Sequence, residues 1–126
     1  MLIQNILSYI DFINYLNQYR YVIVNISATW CKPCKIIKNP LEKFISVIDN
    51  PEFIYLKLDS SIYEEYKEFD LYFGIKQIPY FSFIKEGKII DSFISGDFGF
   101  VSKRLFRLMS NNKEIVKLIE PDEELL

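Results

Sequence analysis

From residue 3 to residue 18 the apolar positions Ile3, Ile6, Leu7, Ile10 and Ile13 recur at helical spacing, which predicts a leading amphipathic helix. Tyr21 to Ile26 follows as an apolar, β-branched run of the kind that fills a buried strand. After Cys34, residues Ile37, Leu41, Phe44, Ile45 and Ile48 fall at i, i+4, i+7, i+8 and i+11, the stripe of a second helix. Pro40 lies inside that helix and predicts a kink, because it has no N–H to donate. Asp49-Asn50-Pro51 ends it, and Phe53 to Leu58 reads as a second strand. Ser61 and Glu64 have capping-box spacing ahead of Ile62, Tyr66, Phe69 and Phe73, a third helix that Gly74 would close. Tyr80 to Ile84 and Ile89 to Phe93 flank Lys85-Glu86-Gly87-Lys88, a turn-length connection that predicts an antiparallel hairpin. Phe98, Val101, Leu105 and Leu108 mark a last helix after Gly96-Asp97. A strand-helix-strand unit of this order is right-handed and parallel, and the hairpin extends its sheet. The expected class is α/β, a central mixed sheet of about four strands with helices on both faces.

Composition narrows this. A chain of 126 residues, half of them hydrophobic, can bury one core, and one domain is expected over residues 1–110. Residues 111–126 read as an acidic tail, ending in Glu120-Pro121-Asp122-Glu123-Glu124, with a solvated end as the simplest account. The net charge of -2 and the absence of any basic run longer than Lys103-Arg104 argue against nucleic acid. No basic leader precedes residue 6, and Asp11 and Asn14 interrupt the apolar stretch, so a mature, soluble protein away from the membrane is expected. With two cysteines and no stapling framework, a reducing compartment fits, and the cytoplasm is the expected location. Histidine is absent, so imidazole can act neither as base nor as ligand.

Both cysteines fall in Trp30-Cys31-Lys32-Pro33-Cys34, directly after the first strand. Thiols at this spacing can reach each other across one helical turn and close a disulfide reversibly. A structural zinc site would need four ligands, and there is no histidine or further cysteine to complete one. An iron–sulfur cluster would likewise need ligands from a second chain. Redox chemistry without metal or cofactor is the reading that needs nothing else.

The Trp30–Lys35 motif on a strand-to-helix junction, Ile78-Pro79 before a strand, Gly87 in the hairpin turn and Gly96 after it together resemble the thioredoxin family, over roughly residues 3 to 110. The family's first strand finds almost no room here, and the chain is expected to start at the helix. The resemblance implies that Cys31 attacks as a thiolate favoured by the helix N-terminus, and that Cys34 then resolves the mixed disulfide. Pro33 would stiffen the dithiol turn. A cis Ile78–Pro79 bond would set the Ile78 backbone opposite the cysteines, and Trp30, Ile78 and Gly96 would frame a docking surface for an extended substrate. The implied partners are protein disulfides and a reductase-type or glutathione electron donor, and a monomer is expected.

Departures from the family pattern concern tuning. The buried aspartate usual five residues before the motif tryptophan is Asn25, so the carboxylate that would accept the Cys34 proton is missing. The family's lysine partner aligns with Tyr55, while Lys57 lies two residues further on, so the pair reads as replaced together. Lys32 adds a cation beside the attacking thiolate. Both changes favour the reduced form, so a protein less reducing than a housekeeping thioredoxin is expected. Asp97 sits where the docking surface is usually apolar. Two other readings stay open: a non-catalytic binding or scaffold subunit of the same fold, and a glutaredoxin-like reductase, which Gly96-Asp97-Phe98-Gly99 matches poorly.

Overall fold

The alternation of side chains along the strands decides the layers. The computed structural model describes residues 1–110, which form β1 (Leu2–Asn5), α1 (Tyr9–Gln18), β2 (Tyr21–Ser27), α2 (Lys32–Ser46), β3 (Phe53–Asp59), α3 (Ser60–Glu65), α4 (Lys67–Phe73), β4 (Tyr80–Lys85), β5 (Lys88–Ile94) and α5 (Phe98–Ser110). They build one mixed sheet in the order β1-β3-β2-β4-β5, with β1 and β2 parallel to β3 and the β4–β5 hairpin antiparallel beside β2. On one face Tyr21, Ile23, Phe53, Tyr55, Phe81 and Phe83 pack under Ile37, Leu41 and Ile45 of α2 and Val101 and Leu105 of α5. The intervening residues Val22, Val24, Ile54 and Leu56 point the other way, onto Phe12 of α1 and Phe69 of α4. Asn25 and Lys57 continue the first series, so period two carries both to the α2 side of the sheet.

The sheet therefore has five strands, and the expectation of about four is corrected. The fifth is β1, which occupies residues read from the sequence as the start of a helix. It pairs Leu2 to Asn5 with Ile54 to Lys57, satisfying backbone groups that β3 would otherwise leave at an edge. The first helix begins only at Tyr9, where the Ser8 side chain accepts from the Asp11 N–H at 3.1 Å. Leu7 and Ile10 are exposed and form no part of a core stripe. The third helix is likewise two short ones, interrupted where Tyr66 adopts an extended conformation. Its cap is Asp59 rather than Ser61, with the carboxylate accepting from the Ser61 N–H at 2.8 Å. The hairpin closes through Glu86 and Gly87, both at positive φ, the conformation a two-residue turn between twisted strands requires. Among the described residues no helix is long and apolar enough to cross a membrane.

Candidate active site

Where β2 ends, the chain turns and enters α2 with Cys31 as the N-cap. Its Sγ lies 3.3 Å from the Cys34 backbone N–H, which donates to it. That is the place of a capping oxygen, where unpaired N–H groups and the helix dipole favour a negative charge. Pro33 falls in the first turn, where a missing N–H costs little. The two cysteines form a disulfide, their Cα atoms 5.3 Å apart. Burial does not distinguish them, at 5% exposure for Cys31 and 6% for Cys34.

Two loops complete the surroundings. The Ile78–Pro79 peptide is cis, and Ile78 packs against Ala28, Cys31 and Cys34. The Pro79 carbonyl accepts from the Ser95 N–H at 3.2 Å, which draws the β5–α5 loop alongside. There Gly96 faces Pro33 so closely that a Cβ would stand 2.7 Å from the proline Cβ. Its missing side chain thus accommodates a neighbour within the same chain. Asp97 next to it accepts from the Phe100 N–H at 2.9 Å and so caps α5. Trp30 is 74% exposed, and with Tyr63, Ile75 and Ile78 it lines an open groove of about 450 Å³. Lys32 is exposed beside Cys31.

A second cleft of about 350 Å³ lies behind Cys34, between α2 and the ends of β2 and β3. Asn25, Lys38, Glu42, Tyr55, Lys57 and Asp59 are among its walls. Asn25 is directly opposite Lys57 in the parallel ladder. Tyr55 belongs to the buried core, where burial chiefly and the Glu42 carboxylate secondarily push its phenol far above the usual range. The Asn25 amide donates to the Tyr80 carbonyl at 3.4 Å. Lys57 is held instead by Glu42 of α2, Nζ to Oε2 at 2.8 Å. Sequence reading missed Glu42, although Cys34, Lys38 and Glu42 at i, i+4 and i+8 share a helix face.

The thioredoxin family profile matches residues 5–99. The chain belongs to the thioredoxin family. Thioredoxin of Malassezia sympodialis is 30% identical over 95 residues, covering 75% of this chain and 88% of its own length. The crystal structure of that thioredoxin superimposes with a TM-score of 0.66 at 28% identity, over 85% of this chain and 93% of the other. Thioredoxin-like protein 1 of Schizosaccharomyces pombe is 31% identical over 91 residues, which span 72% of this chain but only 30% of the yeast protein. A thioredoxin-family fold carrying a closed Cys31–Cys34 bridge at a helix N-terminus is a thiol–disulfide oxidoreductase.

Proposed function

We propose that this thioredoxin-family chain reduces disulfides of protein substrates, with Cys31 as nucleophile and Cys34 as resolving thiol. The observation that carries the assignment is the Cys34 N–H directed at the Cys31 sulfur, at a helix N-terminus. A thiolate there is favoured over the thiol, and thiolate is the attacking species. Cys31 Sγ bonds to one sulfur of the substrate and expels the other as a thiolate. Cys34 then gives up its proton, attacks Cys31 Sγ and releases the second substrate sulfur, so two electrons leave the dithiol.

Trp30 and Ile78 supply the apolar contact for the substrate segment, and the Ile78 backbone ahead of the cis Pro79 offers it strand-like pairing. Lys32 attracts acidic flanks, and Pro33 together with Gly96 holds the dithiol turn in place. The oxidised pair returns to the dithiol through a reductase-type donor or glutathione, in the cytoplasm, with the chain acting as a monomer.

Insulin reduction with each donor tests this reading. Wild type is expected to turn over, Cys31→Ser to lose at least about a thousandfold, and Cys34→Ser to accumulate a mixed disulfide with substrate. Wild type inert with both donors would instead support a binding module of the same fold.

A further inference from the structure

We propose that the docking groove beside the dithiol continues into a second subsite at Leu71, which takes an apolar side chain from the segment flanking the substrate cysteine. The proposal rests on the oxidoreductase reading and adds to it a preference for substrate sequence.

The subsite has a local cause. Tyr66 is extended, so the chain turns between α3 and α4 instead of running on as one helix. Tyr63 and Glu64 before the break and Lys67, Asp70 and Leu71 after it then wall a hollow of about 510 Å³. Phe69, Tyr72 and Phe73 of α4 pack into the core, and helical periodicity turns Leu71 to the opposite side. Leu71 is 88% exposed, more than any other large apolar residue among those described. An exposed leucine by itself is ordinary on a protein surface. This one stands at the end of a continuous path from the dithiol. Ile78 packs against Cys31 and Cys34 and lines the first groove with Trp30, Tyr63 and Glu64. Tyr63 and Glu64 are walls of the hollow at Leu71 as well, so the two depressions adjoin along these residues. The shared wall is fixed in advance, because the Tyr63 hydroxyl donates to Asp70 and accepts from the Ile75 N–H. A site already ordered loses less freedom when it is filled. An apolar contact at Leu71 amid the charged Glu64, Lys67 and Asp70 has the make-up of a docking pocket, an anchor desolvated within a wet rim. The chain that lies in the first groove during the reaction is the one flanking the substrate disulfide, and its continuation is what reaches Leu71.

The test uses the full chain, reduced beforehand, against synthetic peptides whose single cysteine is joined to nitrothiobenzoate. Leucine or serine is placed in turn at each position on either side of that cysteine. In one turnover the dithiol gives up two electrons and two protons and closes, and the peptide thiol and coloured nitrothiobenzoate are released. At one position leucine should react about tenfold faster than serine, the lower end of what burying a leucine side chain yields. Leu71→Ser, a surface change, should bring that ratio close to unity, and Leu71→Met, which keeps an apolar surface, should retain most of it. A gain at no position, a gain that survives Leu71→Ser, or a gain that Leu71→Met loses as fully as Leu71→Ser overturns the proposal. The mixed disulfide of free cysteine with nitrothiobenzoate has no flanking segment and reads the chemistry alone. If wild type reduces it while the peptides show no preference, only the subsite is lost. If wild type leaves it intact, the oxidoreductase reading falls too.

Discussion

Gly96 shows how closely a single position is constrained. Its absent side chain is what lets the β5–α5 loop lie against Pro33. Gly96→Ala must push either the loop or the dithiol turn aside, since the intruding carbon would meet the ring of a proline that cannot swing away. Overpacking of this kind costs about 1–3 kcal/mol, readable as a lower denaturant midpoint, and insulin turnover should fall with it. Cys31 and Cys34 could be read from the sequence because their chemistry lies in a five-residue word at a strand-to-helix junction. Glu42 could not, because its meaning depends on α2 crossing β3 at Lys57, a register that no local spacing records. Tyr55 and Lys57 lie one pleat repeat apart on the same face, and periodicity alone cannot choose between them.

At the scale of elements, the paired helices α3 and α4 are joined by more than sequence. The Tyr63 hydroxyl donates to Asp70 at 2.8 Å and accepts from the Ile75 N–H at 3.2 Å, bridging both helices to the loop that leads to Pro79. Burial first and the Asp70 hydrogen bond second push the Tyr63 phenol up to about 12 from its ordinary 10.0. The folded state thus holds this proton more tightly than the unfolded chain, so the contribution is complete below pH 10 and fades as pH climbs toward 12. Wild type should lose stability between about pH 10 and about pH 12, and Tyr63→Phe should show a shallower loss across that interval by urea unfolding. The α2 and α5 stripes were plain from periodicity because long helices sample it several times. The break at Tyr66 and the strand β1 were not. One is a single residue leaving helical geometry, and the other is too short to show a period.

For the molecule as a whole, the alternation of β2, β3 and β4 already dictated two helical layers, and that part of the architecture was visible in the chain. Strand order was not, because β1 is recruited by the open edge of β3 rather than by its own pattern. Deleting residues 2–5 would leave β3 paired with β2 alone, its other edge open from Ile54 to Lys57. An uncovered strand edge of this kind invites pairing with another chain, so the truncated protein should melt earlier and elute at a larger size as concentration rises. A truncated chain that remains a monomer of unchanged melting temperature would show that β1 contributes nothing to the fold.

Trp30 gives the molecule a built-in optical reporter. It is the chain's one tryptophan, stands next to Cys31 and is largely open to solvent. Light emitted by the protein under indole excitation therefore originates beside the reactive sulfur. Opening of the bridge, arrival of a client and its departure should each change that emission, so the catalytic cycle can be followed in real time without attaching a dye.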